Sequence, residues 1–231
     1  MKTLPSLVPV LALAALAGGC GGLLRSTAAP EQSYYLNAPA LPAGSAAGTP
    51  APQATSLRVG RPLADPGLDT SHIMLLQSDH RMSFYSGARW PAPMPQMLGA
   101  LAVTTLRASG HWASVEDSAS PFPSDYLLQI TVRRFDADYT QSPGAPQVHV
   151  VLDCSIGRRD GRDVVATFVI AGNAAASANR LAEVVGAFEQ ATDSALSALT
   201  EQSLIAIRAA DAAHAAQKAA SPAPSSSLQS Q

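Results

Sequence analysis

Two stretches decide the fold: DYLLQITVRRFDADYT, residues 125–140, and QVHVVLDCSIGRRDGRDVVATFVI, residues 147–170. In the first, Tyr126, Leu128, Ile130 and Val132 share one face of an extended chain, opposite Gln129, Thr131 and Arg133. Leu127 is the exception, an apolar residue on the polar side. In the second, Val148, Val150, Leu152, Cys154 and Ile156 alternate with His149, Asp153 and Ser155. Side chains of a strand point to opposite faces with a period of two, so both stretches are half-buried strands. Asp160-Gly161 is a hairpin turn signal, and Val164 to Ile170 returns as a third strand. Strands with one buried and one solvated face form an antiparallel sheet.

Working outward, Leu57 to Gly60 starts a strand and Leu63 to Gly67 carries a turn signal. Ile73 to Leu76 and Arg81 to Tyr85 are two further strands, close enough to form a hairpin across Gln77 to His80. Gln32 to Leu36 has the β-forming side chains of a short strand. Pro91 to Ser109 reads as a helix with Met94, Met97, Leu98, Leu101 and Leu106 on one face. Its prolines, Pro91, Pro93 and Pro95, fit only before it or in its first turn, and Gly110 ends it. Ser177 to about Arg208 is a second helix, on which Leu181, Val184, Val185, Phe188, Ala195, Leu196, Leu199 and Ile207 follow the 3.6-residue period. It would span roughly 48 Å, more than the width of one small domain. The order of elements predicts an α+β fold: an antiparallel sheet with two main helices packed on one face, the C-terminal helix long.

The chain has 231 residues, enough for one domain with tails. A formal net charge of −2 argues against electrostatic binding of nucleic acid. Residues 1–20, MKTLPSLVPVLALAALAGGC, have the layout of an export signal: Lys2, an apolar run from Leu4 to Ala17, then small residues before a cysteine. That run is shorter than the roughly 17–25 residues of a membrane span. The small-small-Cys ending resembles the bacterial lipobox, with Ala17 where Leu is usual, and predicts lipidation of Cys20 by palmitate-class acyl chains. With Cys20 modified, Cys154 has no disulfide partner and reads as a small core residue. Gly21 rather than Asp after the cysteine leans toward the outer membrane. The predicted organisation is a signal peptide at 1–19, then a lipidated N-terminus with a short strand and an Ala/Pro-rich linker at 20–56. A domain at 57–208 and a disordered Ala/Ser-rich tail at 209–231 complete it.

Catalytic and metal signatures are missing. His72, His80, His111, His149 and His214 show no zinc spacing, and there is no Cys-x-x-Cys, no Gly-x-Ser-x-Gly elbow and no phosphate loop. Glu116-Asp117 reads as a solvated acidic pair. Arg133-Arg134 and Arg158-Arg159 read as surface doublets or as contacts to an acidic partner or lipid headgroups. The expected protein is not an enzyme and uses no cofactor. Tyr85 and Trp90 read either as core aromatics or, with Arg89, as anchors of a partner interface.

Residues 59–98, VGRPLADPGLDTSHIMLLQSDHRMSFYSGARWPAPMPQML, resemble the ABC-type transport auxiliary lipoprotein family, the Pqi-type accessory lipoproteins of MCE-type lipid transporters. Arg61-Pro62, Gly67-Leu68-Asp69-Thr70, Ile73, Phe84-Tyr85 and Ala88-Arg89-Trp90 carry the resemblance. Tyr34-Tyr35-Leu36 and Asp125-Tyr126-Leu127 extend it, so that it covers about residues 33–208. It implies a membrane-anchored accessory component facing the periplasm. Its expected partners are an MCE-family protein with its ABC permease and ATPase, and further copies of itself. The alternative is an outer-membrane lipoprotein that assembles or regulates another envelope machine.

Overall fold

The computed structural model describes residues 31–38, 54–141, 144–160 and 163–220. The signal at 1–19, Cys20, most of the linker and the tail beyond Ala220 lie outside the described residues. Among the described residues there are eleven elements. They are β1 (Gln32–Ser33), β2 (Ser56–Val59), β3 (Leu63–Ala64), β4 (His72–Leu76), β5 (Met82–Arg89) and α1 (Met94–Ala108). After them come β6 (Ser114–Glu116), β7 (Tyr126–Asp138), β8 (Gln147–Arg158), β9 (Val164–Ala175) and α2 (Leu181–Ala220).

The 13-residue β7 is the spine. On one side it pairs antiparallel with β8, and β8 with β9, in the registers Ile130↔Cys154 and Cys154↔Phe168. A register shift between Val132 and Arg134 resets β7. Before it, Tyr126 to Val132 bury the even-numbered side chains; after it, Phe135 and Ala137 take over the same face. Such an irregularity inserts an unpaired residue into one strand and re-aims the side chains beyond it. It explains why Arg133 and Arg134 are adjacent in sequence yet each reaches a carboxylate on the face away from the core.

Along its other side, β7 meets three short strands in succession, all parallel to it: β2 at Leu57↔Tyr126, β3 at Leu63↔Thr131 and β4 at Leu75↔Ala137. β5 pairs antiparallel with β4, β1 parallel with β5, and β6 parallel with β2. Among the described residues the fold is α+β with two helices, and its nine-stranded sheet is mixed rather than wholly antiparallel. Alternation reports which face is buried, not which way a neighbour runs. The parallel pairs of β2, β3 and β4 with β7, and of β2 with β6, join segments separated by α1, and no local pattern marks them. Leu63–Ala64, read as part of a turn, is a two-residue strand that extends this parallel edge.

Both helices cover the same face. The N–H of Met94 donates to the carbonyl of Thr70 at 2.9 Å, and Pro93 is the N-cap of α1. Gly110, at φ 66, closes the turn after that helix in a backbone region that favours glycine. Trp90, Phe135 and Phe188 form an aromatic cluster joining the end of β5, β7 and α2, with ring centroids 5.0–5.9 Å apart. On β9, Gly172 lies directly under α2. A Cβ there would come within 1.9 Å of the Ala191 carbonyl oxygen.

The long helix does not stop near Arg208; it continues to Ala220, so the expected disordered tail begins with more than two turns of helix. Two causes act. Residues 209–220 are mostly alanine, the strongest helix former. Asp211 also anchors the extension. The Tyr126 hydroxyl donates to its carboxylate at 2.7 Å, Arg158 donates to that hydroxyl at 2.6 Å, and Arg158 lies 3.3 Å from the same carboxylate. These are long-range contacts, silent in the sequence. Asp211→Ala is expected to weaken the extension by about 1–2 kcal/mol, the worth of a charge-assisted bond. Hydrogen exchange should then lose protection at 209–220 and keep it at 184–200.

Candidate interaction surface

The helices bury one face of the sheet, and the other carries most of the exposed large apolar side chains. On the β4–β5 hairpin, Met74 pairs with Phe84 and Leu76 with Met82, so all four project to this open face. Phe84 is 51 % exposed and Met82 50 %. The His72 ring stacks on Phe84 at 4.4 Å between centroids. Hairpin geometry explains the placement. Ser83 and Tyr85 occupy the alternate positions and turn toward the helices, where the Tyr85 hydroxyl meets that of Tyr139 at 2.8 Å. Burial, then the bond to Tyr139, pushes the Tyr85 phenol well above its ordinary range, so it stays neutral.

A second apolar group lies at the other end of β7. Leu127 is flanked by the loop carrying Phe122, which is 65 % exposed. Arg58 on β2 pins that loop by donating to the carbonyls of Asp117, Ser120 and Phe122. Arg58, Pro121, Phe122, Pro123, Leu127 and Arg159 line a cleft of about 420 Å³ there. Leu63 on β3, paired with Thr131 of β7, adds a further exposed apolar side chain to the face, 58 % exposed.

Between the apolar ends the face is polar, and each of its two arginines is paired with two carboxylates. Arg133 pairs with Asp153 at 2.6 Å and with Asp65 at 3.5 Å. Arg134 pairs with Asp136 at 2.7 Å and with Asp138 at 2.8 Å. Burial alone would raise the Asp138 carboxyl. Hydrogen bonds from Thr140 and Arg134 outweigh it and hold the group at about 2, so it is ionised across the physiological range. His149 shares a hydrogen bond of 2.6 Å with the Asn173 side chain. A face with apolar ends and paired charges between them suits a protein partner. Its apolar anchors can be desolvated without stranding an unpaired charge.

The sequence candidates fall differently. Trp90 is fully buried in the aromatic cluster and takes the core reading, because it closes the gap between the sheet and α2. Tyr85 is half-buried on the helix side of the hairpin. Arg89 is exposed on β5 beside β1, at the pair Ser33↔Arg89. The structure therefore does not gather the three into one surface patch. Cys20 lies outside the described residues. Cys154 is a buried free thiol on the core side of β8, pushed up to about 12 by burial and the nearby Asp153, which leaves it an unreactive packing group. Sequence reasoning passed over Met82, Phe84, Leu63 and Phe122. Its one usable signal was Leu127, an apolar residue out of phase with its strand. On β5 both phases carry an aromatic, Phe84 and Tyr85, so periodicity could not say which one faces outward. Among the described residues no helix is long and apolar enough to cross a membrane.

Comparison with known proteins agrees with this architecture. The family described as the ABC-type transport auxiliary lipoprotein component matches residues 34–202. The chain belongs to that family. The auxiliary lipoprotein is also similar to a crystal structure of a Xanthomonas campestris protein of the DUF330 family. They share 27 % identity over 79 % of this chain and 98 % of that one, with a TM-score of 0.64. A second crystal structure, of an uncharacterized protein, is 15 % identical over 75 % of this chain and 99 % of that one, with a TM-score of 0.57; it shares the fold. No curated protein matches the chain. The family match begins at Tyr34, directly after β1, and ends inside α2. The helical extension held by Asp211 lies beyond the matched residues.

Proposed function

We propose that this auxiliary lipoprotein is a non-catalytic, membrane-anchored component of an MCE-type ABC transport system that moves lipids or other hydrophobic compounds across the cell envelope. It is lipidated at Cys20, faces the periplasm from the outer membrane, and docks on the transporter through the open face of its sheet. Family membership across residues 34–202 carries the reading. The resemblance of residues 59–98 to Pqi-type lipoproteins narrows the partner to an MCE protein with its permease and ATPase. The paired charges and exposed apolar ends of the open face supply a chemically suitable docking surface.

The test is recovery of the full-length lipoprotein from detergent-solubilised envelopes, followed by mass spectrometry. The expected result is co-recovery of an MCE protein, its permease and its ATPase. The double variant Met82→Ser/Phe84→Ser should lower that recovery at least 10-fold while leaving thermal stability nearly unchanged, because both side chains are half exposed. Cys20→Ala should release the protein from the membrane fraction. Recovery of a peptidoglycan synthase or a β-barrel assembly protein in place of the transporter would instead make it a regulator of another envelope machine.

A further inference from the structure

The two apolar ends of the open face differ in charge. Arg133, Arg134 and Arg158 each pair with two carboxylates. In the cleft at the Phe122 end, Arg58 donates only to backbone carbonyls and to the Ser124 hydroxyl. Arg159 is exposed, and its guanidinium has no hydrogen bond or ion pair among the described residues. Only its backbone is held, by the N–H bond to the Asp125 carbonyl at 3.0 Å. The carboxylates on that side have other partners. Asp125 accepts from the Ser56 N–H at 2.7 Å and from the Ser56 hydroxyl at 2.6 Å, and Asp160 lies 3.8 Å from Arg158. Two guanidinium groups thus line one cleft, and neither is paired with a carboxylate among the described residues. A neutral surface laid over them would strand their charge, whereas an anion would not.

We propose that this cleft binds an anionic amphiphile, a phosphate or carboxylate headgroup that carries a hydrocarbon chain. The forked guanidinium of Arg159 takes the headgroup, and Arg58 supplies a second, fixed positive charge. The hydrocarbon lies on Pro121, Phe122, Pro123 and Leu127, in a space of about 420 Å³. The backbone of the cleft argues against the obvious competitor, an acidic peptide. Pro121 and Pro123 have no N–H to donate. The Phe122 N–H donates to the Ser120 hydroxyl at 3.4 Å, and the Ser120 and Phe122 carbonyls accept from Arg58. A peptide laid across residues 120–123 therefore finds few main-chain partners, whereas a hydrocarbon chain needs none. The proposal also gives a use to Leu127, the apolar residue out of phase with β7, as part of the apolar wall. It requires neither the MCE partner nor docking through the β4–β5 hairpin, so it stands or falls separately from the proposed function.

The test is calorimetric titration of the full-length lipoprotein in a neutral maltoside detergent held at constant concentration. The probes are dihexanoyl phosphatidylglycerol, octanoate, dihexanoyl phosphatidylcholine and inorganic phosphate. At least one of the first two should bind about 10-fold more tightly than phosphatidylcholine, which has the chains without net charge, and than phosphate, which has the charge without a chain. Whichever of the two binds more tightly separates a phospholipid headgroup from a free fatty acid as the source. Arg159→Gln and Phe122→Ser should each weaken that binding by about 10-fold without lowering the melting temperature, because both side chains are exposed. Arg58 is left intact because it holds the loop. Phosphate binding equally well would make this a bare anion site, and phosphatidylcholine binding equally well a bare apolar contact. Either result, no binding of any probe, or an affinity indifferent to Arg159→Gln would overturn the proposal.

Discussion

Trp90→Ala is expected to lower stability by about 3–5 kcal/mol, the usual effect of deleting a fully buried aromatic side chain. Trp90 has no exposed surface. Its ring meets Phe135 edge-on at 5.9 Å and Phe188 at 5.3 Å, so three separate elements lose their common contact at once. The cavity would lie between the sheet and the N-terminal part of α2, lined by Phe135 and Phe188. Urea unfolding should show a lower midpoint with an unchanged slope, and the melting temperature should fall by roughly 10 °C or more. Phe188→Ala should behave alike, and the double variant should lose less than the sum, because the rings share a contact. If Trp90→Ala instead kept its stability and lost only the partner, the residue would belong to an interface after all.

Gly172→Val is expected to cost about 3 kcal/mol by the opposite mechanism, overpacking. A Cβ at residue 172 would lie 1.9 Å from the Ala191 carbonyl oxygen and 2.9 Å from the Ala195 amide nitrogen. Both obstacles are backbone, so no rotamer change relieves the clash, and α2 has to lift from β9. Even Gly172→Ala should be destabilising, since the first added carbon makes the clash. Gly186→Ala is the control. It lies in the same helix, a Cβ there meets nothing within 4 Å, and the change should raise stability by up to about 1 kcal/mol through helix propensity. Thermal unfolding of the three variants separates close approach from a general intolerance of glycine replacement.

The difference between these residues shows what one chain discloses before it folds. Val148 and Cys154 declare a buried face because their neighbours along the strand are polar. Gly172 declares nothing, since an absent side chain has no periodicity; only the approach of Ala191 makes it indispensable. Trp90 sits between a strand and three prolines, where neither the strand nor the helix period applies, and both readings stay open until Phe135 and Phe188 close around it. Arg133 and Arg134 look like a plain basic doublet. The register shift at Val132 puts each beside its own pair of carboxylates on the open face.

Read alone, the sequence determined the α+β class, the strands at about 125–139 and 147–156, the amphipathic helices and the family. All of these rest on local periodicity or on short runs of residues. The tertiary structure alone decided the parallel pairing of β2, β3 and β4 along β7, the helix running on past Arg208 to Asp211 and beyond, and the gathering of Leu63, Met82, Phe84 and Leu127 on one open face. The physical reason is common to all three. Periodicity along a chain records how much water each residue meets, whereas the direction of a neighbouring strand and the company a side chain keeps are set by segments far away in sequence, through contacts that leave no trace in the local pattern.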